Sequence, residues 1–167
     1  MTDKEFSLIQ ARVREEISNI DSLMAELEKR GLIKANRDSG KAPFTEDSFF
    51  IRAIGSVLHD FYVMVENVLE IIGREIDESL PQGQDWHIKL LKQMALDVPG
   101  VRVAVLSKST MQALDKYRAF RHVFRNVYGY NLESNRILEL VQQLPETVAN
   151  LKKDLQNFLK DMGTIIN

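Results

Sequence analysis

From Phe50 to Ile72 the chain sets apolar residues at steps of three and four without a break: Phe50, Ala53, Ile54, Val57, Leu58, Phe61, Val65, Val68, Leu69 and Ile72. A helix brings positions spaced this way onto one side, whereas a strand would scatter them over both faces. One such stripe cannot be stable alone, because its apolar side needs other elements to bury it. The rest of the chain supplies those partners in the same period. Residues 4 to 30 carry Phe6, Ile9, Val13, Ile17, Ile20, Leu23 and Leu27, and Gly31 is a natural stop.

The polar run "KANRDSGKAPF" at 34 to 44 reads as a loop, with the long second helix starting at Thr45 and placing Glu46 and Asp47 in its first turn. That helix meets no breaker before "LPQGQ" at 80 to 84. A short third helix is expected from Asp85 to Leu96, turning Trp86, Leu90, Leu91 and Met94 inward. Pro99 and Gly100 interrupt the period, and "VRVAV" after them is a lone extended stretch with no partner strand. Ser109 followed by Gln112 has capping-box spacing, so a fourth helix begins near 110 and ends at Gly129. A fifth covers 133 to 161, bent or interrupted at Pro145. The expected fold is all-α: an antiparallel bundle of four long helices and one short one, in a single domain spanning residues 1 to 167.

Composition narrows the function classes. There is no cysteine, which removes disulfides and thiolate metal sites. Three histidines on three helices, with no pair four residues apart, make no metal site, and no cofactor fingerprint appears. The charged N-terminus has no signal-peptide pattern, and no stretch approaches the ~18 apolar residues of a membrane span. The expectation is a cytoplasmic protein without a membrane partner.

The net charge is −2, yet from Arg102 to Arg125 six basic residues face a single acid, Asp115. On a nearly neutral protein, such a cluster suits a focused anionic ligand better than a long polyanion track. Most of it lies in "RAFRHVFRNVYGY", 118 to 130. On a helical wheel Phe120, Phe124 and Val127 form the core stripe, with Ala113 and Tyr117 at its margin. Arg121, Arg125 and Tyr128 share another face, with Arg118 at its edge and His122 and Asn126 in an adjacent stripe. Guanidinium groups bind phosphoryl oxygens in bidentate fashion, and imidazole moves protons near neutrality. Acids on neighbouring helices would satisfy the same arginines equally well, leaving a plain interaction surface. His59 reads as a hydrogen-bonded histidine at the core edge and Trp86 as core packing; His87 stays open. The aspartates and glutamates fall mostly on outward faces.

"FRHVFRNVYGYNL" at 120 to 132, preceded by "DWHIKLLKQM" at 85 to 94, resembles the HepT-like branch of the HEPN superfamily, over about residues 45 to 165. The family signature is an arginine, a polar residue, a spacer of four to six residues in all, then histidine, any residue and tyrosine. Arg121, His122 and Tyr128 match it; the histidine position holds Asn126. The resemblance implies a metal-independent endoribonuclease toxin of a type VII toxin–antitoxin system. It implies a homodimer whose paired motif helices form one cleft on RNA, and an antitoxin similar to a minimal nucleotidyltransferase. On that reading Arg121, Asn126 and Tyr128 are the catalytic positions, Arg118, His122 and Arg125 line the RNA path, and Tyr128 is the adenylylation site. Asn126 leaves three explanations: a natural non-cutting member, an engineered inactive form, or His122 acting across the dimer. The alternative from another class is a non-catalytic subunit that presents substrate to a nucleotidyltransferase.

Overall fold

A computed structural model describes residues 1 to 33, 47 to 126 and 133 to 166. Among them are five helices: α1 (Asp3–Lys29), α2 (Ser48–Glu75), α3 (Trp86–Gln93), α4 (Lys108–Asn126) and α5 (Ser134–Ile166). Side-chain pairs give the directions. Arg12 meets Glu75 while Glu16 meets Asn67, so α1 and α2 run antiparallel. Ser107 meets Asp154 and Lys116 meets Gln143, so α4 and α5 do as well. The result is the all-α bundle that the apolar periods require.

α2 is its axis. Ile54, Leu58, Phe61, Val65, Val68, Leu69 and Ile72 are buried along it, and α1, α3, α4 and α5 all pack on it. By length and composition α2 is apolar enough to cross a membrane, which corrects the expectation that no stretch approaches that requirement. In this fold its apolar face supplies the bundle core. Gly73 lets the returning chain come close, because a Cβ there would sit 2.8 Å from the Leu80 side chain, beside Leu90 and Met94. Gly31 takes φ +70° after α1, the left-handed turn that suits glycine.

Helix ends follow capping chemistry. Thr2 and Glu5 form a reciprocal capping box on α1. Asp47 stands outside the first turn of α2 and caps it, accepting from the amides of Phe49 and Phe50. The expected start at Thr45 lies outside the described residues. At α4 the cap is Ser107, whose hydroxyl accepts from the Thr110 amide, so the helix begins before the Ser109 position that the capping-box spacing predicts. Ser109 instead places its hydroxyl 3.1 Å from that of Ser107. α5 runs uninterrupted through Pro145 to Ile166. The Tyr117 hydroxyl donates to the Leu140 carbonyl at 2.8 Å, and Tyr117 is wholly buried instead of marginal.

Arg102 is a second correction. It belongs to the basic cluster by sequence, but its guanidinium is fully buried and paired to Asp77, with further bonds to the carbonyls of Leu96, Gln93 and Val103. The segment around it makes one isolated antiparallel bridge, Val98 with Arg102. Asp77 follows α2 directly, so this pair ties the α2–α3 and α3–α4 connections together. Removing one member of such a pair strands a buried charge, which costs about 3–5 kcal/mol.

Candidate functional site

The polar side of α4 opens onto a cavity of about 500 Å³. Arg118, Arg121, His122, Arg125 and Asn126 line it from α4. Their offsets of zero, three, four, seven and eight make one continuous helical face. The opposite wall comes from Gln84 and Asp85 before α3 and from His87 and Ile88 in its first turn. Five of the six side chains singled out from sequence therefore share one cavity. Tyr128, the sixth, lies outside the described residues, as do Val127 and Gly129.

The arginines differ in what they are free to do. Arg121 is mostly buried and ion-paired at 2.9 Å to Glu66 of α2. Arg118 is braced by Asp115, three residues earlier on its own helix, at 2.6 Å. Arg125 is exposed and, among the described residues, has no carboxylate partner. Acids do satisfy two of the three guanidinium groups, one through a buried carboxylate and one through a solvent-exposed one. Arg125 and His122 remain the most available polar groups of the face. Asn126 is exposed, and its side-chain amide donates back to the His122 carbonyl at 2.7 Å.

Glu66 is the site residue that sequence reading passed over. It is 4% exposed, with one carboxylate oxygen on Arg121 and the other 2.5 Å from His87 Nδ1. One buried carboxylate thus joins α2, α3 and α4 behind the cavity. The signal was present in the primary structure: Glu66 falls four residues after Tyr62 and three before Leu69, inside the buried stripe of α2. A charge placed there must be matched from a neighbouring helix. His87, left open by its pattern alone, is the second partner, and the Trp86 ring centre lies 3.8 Å from that of its imidazole. Trp86 is half-buried against the core. His59 is bonded to Asp60 at 3.1 Å and lies near Phe124, outside the cavity. Among the described residues no three histidine or carboxylate side chains gather as metal ligands.

Two polar atoms behind this wall have no hydrogen-bond partner among the described residues: the Tyr62 hydroxyl and Arg121 Nε. Burial, reinforced by the Glu66 carboxylate, pushes the Tyr62 hydroxyl far above the usual phenol range, against the pull of Arg118 and Arg121. The folded chain therefore holds that proton to a higher pH than the unfolded chain does. Above about pH 10 the unfolded state deprotonates first, so stability falls as pH rises. Tyr62→Phe removes both the unbonded hydroxyl and this proton. It should raise urea stability at neutral pH by about 1–3 kcal/mol and flatten the loss above about pH 10. The remaining slope should come from Tyr117, whose hydroxyl burial pushes up to about 12. A destabilised Phe variant would show that the hydroxyl is satisfied in solution.

The chain matches the family model described as HepT-like protein over residues 53–162, which takes in α3, α4, most of α2 and most of α5. No curated protein and no solved structure matches it. The match contains every residue of the cavity wall together with Glu66, and it agrees with the likeness carried by the α4 motif. The chain belongs to the HepT-like family of the HEPN superfamily, as a toxin-like all-α protein.

Proposed function

We propose that this protein is a ribonuclease toxin that cuts RNA at the α4 cavity, working in the cytoplasm as a homodimer. The observation that carries the reading is the gathering of three guanidinium groups, two imidazoles and two carboxamides around one open cavity, against a single lining carboxylate, Asp85. Guanidinium groups hold phosphoryl oxygens and stabilise the charge that builds on them when a neighbouring ribose hydroxyl attacks. Arg125 is free to do this directly, while Arg121 is fixed in place by Glu66 and presents a rigid positive edge. Two of the three arginines already carry a carboxylate, so one protomer offers limited net charge to RNA. A second copy of the same face supplies the rest, which supports the dimer.

We further infer that a minimal nucleotidyltransferase neutralises the toxin by adenylylating Tyr128. Each adenylate adds a phosphate anion, whose charge opposes the binding of an RNA phosphate nearby. Intact mass should rise by adenylate units on incubation with ATP and the cognate enzyme, and Tyr128→Phe should abolish the rise. A gain that persists in the Phe variant contradicts the assignment.

A non-catalytic, substrate-presenting subunit is the second reading, favoured by Asn126, whose amide is engaged with its own helix and cannot titrate. Cleavage of bulk tRNA in EDTA by the wild type and by Asn126→His separates the two. Cutting by either protein, lowered about tenfold or more in the corresponding Arg125→Ala variant, supports the ribonuclease. If neither cuts while the nucleotidyltransferase complex still forms, the presenting subunit is the better account.

A further inference from the structure

We propose that His87 is the proton acceptor of this site, a catalytic residue for which Glu66 is the positioning residue. The inference rests on the ribonuclease reading above and names the group that replaces the motif histidine. With a carboxamide at position 126, the motif helix has no titrating group where its signature places one. Two imidazoles line the cavity, His87 and His122. Of these two, only His87 is held by a carboxylate among the described residues.

The geometry decides which nitrogen of His87 is available. Glu66 Oε1 lies 2.5 Å from Nδ1, and a carboxylate accepts at that distance, so Nδ1 carries the proton. Arg121 Nη1 approaches the same nitrogen at 3.3 Å, but a protonated Nδ1 has no lone pair to receive it. Arg121 instead donates to Glu66 Oε2 at 2.9 Å. The lone pair of His87 is therefore on Nε2, the nitrogen that Glu66 does not hold. Glu66 cannot easily turn away, because its other oxygen is committed to Arg121 and its side chain is 5% exposed. The indole of Trp86 lies against the His87 ring and restricts its plane. A buried carboxylate that fixes the tautomer also stabilises the imidazolium formed when the base takes a proton. His122 is exposed and has no such support.

Arg121, Arg125 and His87 line the same cavity, and Arg121 Nη1 lies 3.3 Å from the imidazole, so a phosphate bound along the two arginines would sit on the side of the cavity that His87 also lines. The step then balances without a further reagent. His87 Nε2 takes the proton of a ribose 2′-hydroxyl as the 2′-oxygen bonds to the adjacent phosphorus. The bond from phosphorus to the 5′-oxygen breaks, and that oxygen takes a proton from water. The products are a 2′,3′-cyclic phosphate and a 5′-hydroxyl, and the imidazolium returns its proton to solvent.

The test compares wild type, Asn126→His, His87→Ala, His87→Gln and the double variant His87→Ala/Asn126→His on bulk tRNA in EDTA. Circular dichroism melts identify the variants that fold. Wild type should cut, and both single variants should lose about 10²–10⁴-fold in kcat with little change in KM. Free imidazole should restore part of the His87→Ala rate, and the double variant should recover activity by presenting an imidazole from position 126. Nitrogen chemical shifts of the His87 ring should report an Nδ1–H tautomer in wild type and a mixture in Glu66→Gln, where kcat should also fall. An Nε2–H tautomer in wild type overturns the proposal. So does a His87→Ala variant that cuts like wild type, or whose loss lies in KM and resists imidazole; the ribonuclease reading survives either result. A silent wild type beside a cutting Asn126→His variant removes the role of His87 alone, whereas silence from both removes the two readings together.

Discussion

A carboxylate buried on the central helix must find positive charge or strong donors before neighbouring helices can close over it. Glu66 finds Arg121 on α4 and His87 on α3. Those two contacts set how α3 and α4 approach α2, and so set the shape of the cavity between them. The apolar stripe of α2 brings the helices together without specifying a rotation, since leucine and valine pack in many ways. A carboxylate shared by a guanidinium and an imidazole is directional, and it admits one arrangement of the three helices.

The same contact divides the basic face of α4 into groups with different freedom. Arg121 is anchored and Arg118 is braced by Asp115, so neither can follow a ligand far. Arg125 and His122 reach into solvent and can adapt to one. Preorganised charge beside adaptable charge suits an anion that must be held while its own charge increases during reaction. The Tyr62 hydroxyl and Arg121 Nε behind the wall are what such packing costs, because these polar atoms are enclosed without partners among the described residues.

Helical class, helix order and the core stripes of α1 and α2 were legible in the primary structure because each rests on a local period. The face of α4 was legible for the same reason, and Arg118, Arg121, His122, Arg125 and Asn126 do line one cavity. Contacts between distant residues leave no period, and there the reading failed. Arg102 counted as part of the basic cluster, yet Asp77, 25 residues earlier, draws it into the interior. Glu66 and Arg121 find each other only once α2 and α4 pack, and His87 joins them from a helix too short to show a clear face. Ser107 caps α4 in place of Ser109 because its own amide is held by Asp154 of α5, which positions the turn from outside it. α5 continues through Pro145 because packing along its length outweighs one missing backbone bond.

That RNA phosphate occupies the α4 cavity is the claim on which the functional account stands. The chain has three histidines, and the structure separates them: His87 and His122 line the cavity, while His59 lies outside it beside Asp60 and Phe124. Imidazole resonances of the full chain, followed while a 2′-deoxy-substituted oligoribonucleotide that cannot be cut is added, report occupancy at each position. The account predicts saturable shifts of His87 and His122 with His59 unmoved. Binding that shifts His59 alone, or leaves all three resonances in place, would contradict it.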